Sequence, residues 1–158
     1  MNMEQVANMV GRSAYGVAFT VPGVPQGKGR PRFARRGNFV STYTPAKTVS
    51  YENLVKMAAA EAMAGMVPFK RPLSMLLTIH MPIPESWSKK RKDLAFRGLI
   101  GATVKPDWDN VGKLVADAMN GIAYVDDKQI VSATVAKQYG TVPHIAVRIQ
   151  EYAEREAA

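Results

Sequence analysis

The chain has 158 residues, of which 47% are hydrophobic and 22% charged, a composition that excludes global disorder. The absence of cysteine excludes disulfides and thiolate metal sites, and two histidines are too few for a zinc site. Net charge is +8, which indicates a polyanionic partner, and we expect a cytoplasmic protein because neither a membrane span nor a secretory signal is visible.

Apolar alternation and helix signals predict a single α+β domain over residues 1–158. Tyr15, Val17, Phe19 and Val21 alternate as in a strand, and Thr44-Pro45 is a favourable helix start. In the N-terminal half we predict, in chain order, a loose tail or short helix over 1–14, a strand over 15–21, a basic hairpin or loop ending in a short strand at 39–43, and a helix over 46–64. A strand over 73–79, a short basic helix over 89–98 and a helix over 110–120 follow. The chain then continues with two strands over 130–139 and 141–150, joined by a turn at Gly140, and a frayed C-terminal helix. This order is typical of a small mixed sheet with helices packed against it.

The helix predicted over 46–64 carries several large apolar side chains. Their spacing indicates either a core-facing surface or a dimer seam, and the residues are Val49, Leu54, Val55 and Met57.

Charge is distributed unevenly along the chain. Residues 1–106 hold 16 basic and 5 acidic side chains, whereas residues 107–127 hold five acids and one lysine. Clustered carboxylates repel one another unless a cation compensates them, and a divalent cation that bridges to phosphate is a common solution. A basic chain with one acidic cluster is the charge layout of a metal-dependent nuclease.

The acidic cluster begins with Asp107 and Asp109. If residues 105–109 are extended, both carboxylates project from one face and Trp108 from the other, so the two acids can share a Mg²⁺ ion. The following helix points its positive end at this site, and Asp126-Asp127 offers a third ligand from the start of a later strand.

Each of these residues also has a simpler interpretation. Asp109 or Asn110 alone is more often a helix N-cap, and Asp126 is more often a turn residue. Lys113 and Asp117 lie one helical turn apart and can form a surface ion pair. However, a lysine in the first turn opposes the helix dipole, which favours a Lys113 that faces a phosphate.

The segment KPDWDNVGKLVADAMNGIAYVDDKQI (105–130) resembles the RusA family of Holliday-junction resolvases, which is common on phages and prophages. VPGVPQGKGRPRFARRGNFVSTYTPAKTVSYENLV and PIPESWSKKRKDLAFRG are similar to the opening and middle of that family, so the resemblance covers most of residues 17–135. It implies a RusA-like fold, branched DNA as substrate, and Mg²⁺ as cofactor with Mn²⁺ as a substitute. The essential acids and lysine of the family fall on Asp107, Asp109, Lys113 and Asp127, with Asp126 and Asp117 as alternative ligands.

Two basic clusters are the predicted DNA contacts, although charge runs are more often merely solvated faces. With Lys105, the predicted DNA-binding residues are Lys28, Arg30, Arg32, Arg35, Arg36, Lys89, Lys90 and Arg91. Trp87 and Trp108 are interpreted as packing residues, and His80 as a core histidine whose ring nitrogens are satisfied.

We therefore expect a two-fold homodimer that nicks two opposed strands of a four-way junction in the bacterial or phage-infected cytoplasm, where it associates with the nucleoid. Two other functions remain open. One is a flap or single-strand endonuclease with the same metal site, and the other is a non-catalytic DNA-binding module.

Overall fold

The computed structural model describes residues 11–13, 15–29 and 32–154. Its strands are β1 (Gly11–Ser13), β2 (Gly16–Pro22), β3 (Arg32–Arg36), β4 (Phe39–Tyr43), β5 (Leu73–Pro82), β6 (Ile130–Gly140) and β7 (His144–Glu151). Its helices are α1 (Ala46–Ala62), α2 (Lys89–Phe96), α3 (Trp108–Ala118) and a short 3₁₀ helix, Asp127–Gln129.

Five strands form one mixed sheet in the order β1-β2-β7-β5-β6. Strands β5 and β6 are parallel, and the other neighbours are antiparallel. Strands β3 and β4 form a separate two-stranded hairpin. Helix α1 packs against β2 and α3, while α2 and α3 contact β6. The predicted α+β class with a mixed sheet is confirmed.

Strands β6 and β7 are not hairpin partners, although the predicted turn at Gly140 implied that they were. Strand β5 lies between them and pairs with both. Burial explains this position, because seven of the ten β5 residues are buried on both faces of the strand, as suits the middle of a sheet. Alternation in β6 and β7 shows which side chains face the core, but it does not choose the neighbouring strand.

Helix α1 uses only part of its apolar surface for the core. Val55 is fully buried, whereas Val49, Leu54 and Met57 are 44%, 44% and 67% exposed. The core interpretation is therefore right for Val55 and wrong for the other three. Their exposure leaves the dimer-seam interpretation open.

The chain ends depart from prediction where they are described. Residues 11–13 form β1 rather than a tail or helix. Residues 1–10 and 14 lie outside the described residues. The C-terminal helix is not present over 151–154, where Glu151 ends β7 and the next three residues are irregular. None of the described helices has the length and hydropathy to cross a membrane.

Candidate active site

The acidic segment at Asp107 opens a helix, so the condition that residues 105–109 are extended is not met beyond Asp107. Helix α3 begins at Trp108, with Asp107 as its N-cap residue (φ −67°, ψ 145°) and Asp109 in its first turn. A fully buried stripe at helical spacing holds the helix in place: Val111, Leu114, Val115 and Ala118. Because the buried residues begin at Val111, one turn after Trp108, their packing stabilises the helix from its first turn.

Asp107 and Asp109 are both exposed at the positive end of α3. The N-cap position belongs to Asp107 rather than to Asp109 or Asn110, and the Asp107 side chain makes no capping hydrogen bond. The N-cap interpretation is therefore wrong for Asp109. Asp107 has the backbone geometry of an N-cap residue, but its side chain does not cap the helix. The Asp107 carboxylate is therefore not held by a capping hydrogen bond.

Asp117 forms an ion pair with Lys28 rather than with Lys113. The Lys28 and Asp117 side chains are 34% and 23% exposed, so the pair is partly shielded from solvent. Lys113 is exposed and forms no ion pair with the described residues. At four-residue spacing, Asp109, Lys113 and Asp117 share one side of α3. The unpaired ammonium of Lys113 thus lies between two acids on that side.

Close packing against α3 holds the glycine-rich segment that contains Lys28. The Lys28 backbone N–H donates to the Asn110 carbonyl at 3.0 Å. A Cβ on Gly27 would lie 3.0 Å from the Asn110 Cβ and 3.1 Å from the Pro106 Cβ, so the approach depends on glycine. Packing therefore fixes where Lys28 enters the acidic cluster.

Asp126 and Asp127 lie in a turn that Gln129 holds together. The Gln129 Oε1 accepts from the backbone N–H groups of Val125 and Asp126, both at 3.0 Å. Its Nε2 donates to the carbonyls of Phe69 at 2.9 Å and Arg71 at 3.1 Å. One amide thus anchors the turn to a chain segment about 60 residues earlier.

The two aspartates of this turn have different environments. The Asp126 Oδ1 accepts from the Lys128 backbone N–H at 2.9 Å, which lowers the pKa of Asp126. Burial raises the pKa of Asp127, and the neighbouring carboxylates of Asp126 and Asp117 raise it further. Beneath them, the buried Tyr124 hydroxyl donates to the Ala116 carbonyl at 2.6 Å. Asp117, Asp126 and Asp127 therefore interact as one group, which we term the carboxylate cluster.

Asp107 and Asp109 lie towards the other end of α3 from this cluster. Eight residues separate Asp109 from Asp117, about 12 Å along the helix axis. The described residues contain no group of three or more His, Asp or Glu side chains arranged to hold a metal ion. The donor atoms are nevertheless carboxylate oxygens, the ligand type that Mg²⁺ prefers.

Sequence comparison places these residues in a known group. Residues 22–150 match the family described as Endodeoxyribonuclease RusA. The chain belongs to the RusA family. It is also similar to the uncharacterized protein YqaN of Bacillus subtilis (strain 168), with 38% identity over 137 residues that cover 85% of this chain and 96% of that protein. The predicted family is confirmed, and membership of it indicates endodeoxyribonuclease activity.

The basic residues predicted to contact DNA in this RusA-family chain lie on several exposed elements. Arg32, Arg35 and Arg36 are on the β3–β4 hairpin, and Lys89, Lys90 and Arg91 are on α2. Lys105 is exposed just before α3, joined to Pro106 by a cis peptide bond. Arg30 lies outside the described residues.

The two tryptophans differ, although both were interpreted as packing residues. Trp87 is partly buried against the core, makes an edge contact with Tyr139 at 5.2 Å, and has the Arg91 guanidinium 4.0 Å above its ring. Trp108 is 60% exposed, so the packing interpretation is wrong for it. Of the two tryptophans, only Trp87 packs against the core.

His80 is buried, as predicted, but its ring is only partly satisfied. Its Nδ1 lies 3.5 Å from the Gln138 amide, whereas its Nε2 has no hydrogen-bond partner in the described structure. Its ring stacks on His144 with centroids 4.1 Å apart. The prediction of a fully satisfied histidine is therefore wrong.

Sequence reasoning missed two residues that support the site. Gln129 carried a visible signal, because Asp126-Asp127-Lys128-Gln129 has capping-box spacing. Lys137 carried none: it reaches from β6 to donate to the carbonyls of Val104 and Pro106, the latter at 2.8 Å. Lys137 thereby holds the segment that leads into Asp107.

Proposed function

We propose that this RusA-family endodeoxyribonuclease resolves Holliday junctions by paired symmetric nicks in DNA recombination and repair, with Mg²⁺ as cofactor and Mn²⁺ as a substitute. The observation that carries the proposal is the exposure of Asp107, Asp109 and Lys113 around the start of α3. Helix capping and ion pairing with described residues do not engage the Asp107 carboxylate or the Lys113 ammonium. Charged side chains that make no such contacts within the protein are available to bind a substrate phosphate and a cation.

Asp107, Asp109 and Asp127 would hold the metal. The described structure does not gather these three carboxylates, because Asp127 lies with Asp117, so metal binding would require them to close around the ion. Asp127 is favoured over Asp126 because the Asp126 carboxylate already caps the 3₁₀ helix through the Lys128 N–H. Burial and then repulsion from Asp126 and Asp117 raise the pKa of Asp127, and a cation relieves such repulsion. When bound, Mg²⁺ supplies Lewis-acid activation of water and stabilisation of the phosphate charge.

The remaining groups position the phosphate. The N-terminal end of α3 favours negative charge, and the Lys113 ammonium one turn later neutralises the phosphate or the leaving oxygen. Lys28 holds Asp117 at the far side of the cluster, which limits where that carboxylate points. Exposed basic residues on α2 and the β3–β4 hairpin extend the contact to the flanking DNA backbone.

A homodimer completes the proposal. A four-way junction is approximately two-fold symmetric, and two identical sites related by that symmetry would cut opposed strands. The exposed apolar side chains of α1 offer one seam, and Met57 is the most exposed of them at 67%. The outer edge of β6 offers another.

A substrate panel tests the proposed activity. Four-way junction, flap, single-strand and linear duplex DNA of matched sequence are incubated with the protein in Mg²⁺ and, separately, in EDTA. We expect Mg²⁺-dependent cleavage of the junction at two symmetric positions, and little cleavage of the duplex. Preferential flap cleavage would assign the site to a different nuclease specificity, and identical behaviour in Mg²⁺ and EDTA would leave only a DNA-binding module.

A further inference from the structure

The β3–β4 hairpin exposes aromatic rings that folding does not use. Every residue of both strands is exposed, and the hairpin is a sheet separate from the main one. Phe33, Phe39 and Tyr43 are 74%, 81% and 50% exposed. Isolated exposed apolar residues are common, but three exposed aromatic rings on one short hairpin indicate a binding partner.

The strand register places these rings beside arginines. Arg32 lies opposite Tyr43 and Arg36 lies opposite Phe39, and directly opposed residues project from the same face of a hairpin. Gly37, at φ +59°, opens the two-residue loop that sets this register. One face therefore carries two arginine–aromatic pairs, while Phe33 projects from the other face.

The charge of the hairpin selects the kind of partner. Residues 15–51 contain no aspartate or glutamate, so an occupant must itself bring the negative charge that the arginines require. A second copy of this chain, at net +8, brings an excess of positive charge. Unpaired nucleotides carry both a flat apolar face and a phosphate, which match the ring and the guanidinium of each pair.

We propose that the hairpin binds unstacked nucleotides at the branch point of DNA, with Phe39 and Tyr43 stacking on bases and Arg32 and Arg36 contacting the adjoining phosphates. The inference rests on the proposed cleavage of branched DNA and names the part of the chain that recognises the branch. It separates two contributions: aromatic rings distinguish a branch from a duplex, and arginines bind any DNA backbone.

Binding measurements in EDTA test the two contributions separately. A labelled four-way junction and a duplex of matched sequence are titrated with wild-type protein, with Phe39→Ala/Tyr43→Ala, and with Arg32→Ala/Arg36→Ala, at several salt concentrations. The aromatic pair should weaken junction binding about ten- to a hundredfold, with duplex affinity and the salt slope unchanged. The arginine pair should reduce the magnitude of the slope of log affinity against log salt by about 1.8 for each bound protomer, on both DNAs.

Two controls fix the interpretation. Phe39→Tyr/Tyr43→Phe keeps both rings and should bind the junction as the wild type does. Ser41→Ala/Thr42→Ala changes the same strand without removing a ring and should also have no effect. A 2-aminopurine base at the branch point should change its fluorescence on binding wild-type protein but not on binding the aromatic double variant.

Unchanged junction affinity of the aromatic double variant would overturn the proposal, as would an equal loss on junction and duplex. A dimer that becomes monomeric in the aromatic double variant, measured by light scattering, would assign the exposed rings to a second copy instead. Cleavage of the same junction in Mg²⁺ is scored separately. Wild-type protein that binds through its rings without cutting the junction would therefore contradict the proposed function and not this inference.

Discussion

At the scale of single residues, hydrogen bonding by Gln129 determines where Asp127 lies. Its amide has four backbone partners, two in the turn and two in the segment around Phe69. Gln129 touches neither of the predicted ligands at the start of α3, so it is a positioning residue. Its effect on the site acts through the Asp126-Asp127 turn.

We expect Gln129→Ala to lower the free energy of unfolding by about 1–3 kcal/mol, because four backbone groups lose their partner and two of those hydrogen bonds are partly buried. Cleavage should fall more than DNA binding does, since Asp127 loses its support. Gln129→Glu keeps the acceptor towards Val125 and Asp126 and should fall between wild type and Gln129→Ala. Urea denaturation and single-turnover cleavage provide the two measurements.

Gln150→Ala is the matched control, because Gln150 is exposed on β7 away from the turn. It should alter neither measurement. A Gln129→Ala variant as stable and as active as the wild type would show that the turn holds its shape without this amide.

Contacts between residues that are distant in sequence could not be predicted at the site. Asp107, Asp109 and Lys113 were predicted from their spacing, from the helix dipole and from the resemblance to the RusA family, all of which depend on residues close in sequence. The partner of Asp117 could not be found in this way, since Lys28 lies 89 residues earlier and reaches it only through packing of Gly27 against α3. Spacing suggested Lys113 instead.

At the scale of elements, local pattern located the helices and strands but not their neighbours. The predicted strand at 39–43 and helix at 46–64 correspond to β4 and to an α1 that ends two residues earlier. The position of β5 between β6 and β7 was not predicted. A strand shows the same hydrophobic alternation whether it pairs with the next strand in sequence or with a more distant one. One product of this position of β5 is the cross-strand pair of His80 on β5 and His144 on β7.

The His80–His144 stack predicts an acid-sensitive fold. Burial, with a smaller contribution from the nearby His144, lowers the pKa of His80 to about 4. Above about pH 6.5 the imidazole is neutral in both folded and unfolded chains. As the pH falls from 6.5 towards 4, the unfolded chain binds a proton that the folded chain does not, so stability is lost across that window.

We expect the free energy of unfolding to fall by about 1.5 kcal/mol between pH 6.5 and pH 5, and by less in His80→Phe, which retains a ring against His144. Urea denaturation at both pH values measures the difference. Carboxylates titrate mainly below this range, so they contribute little to it. Equal losses in the two proteins would show that His80 does not carry the effect.

At the scale of the whole molecule, one acidic site per chain requires two chains for two symmetric cuts. We predict a homodimer in light scattering at micromolar concentration, and linear product from a supercoiled plasmid that extrudes a cruciform. Met57→Glu would place a charge on the exposed face of α1. If that face is the seam, this variant should become monomeric and accumulate nicked circles.

Lys56→Glu reverses a charge on the neighbouring α1 residue and is the control for the charge itself. A wild-type protein that is monomeric yet linearises the plasmid would contradict the dimer. A dimer that persists in Met57→Glu would instead move the seam to the edge of β6.

The central claim is that the acids at the start of α3 perform cleavage rather than binding, and Asp107→Asn tests it most directly. The variant keeps the shape of the side chain and removes its charge, so junction cleavage in Mg²⁺ should fall by more than about 100-fold. Junction affinity should stay constant or increase, because repulsion between carboxylate and phosphate is relieved. Asp93→Asn, which changes an exposed acid paired with Arg97 on α2, should cleave normally. Near wild-type cleavage by Asp107→Asn would contradict the account.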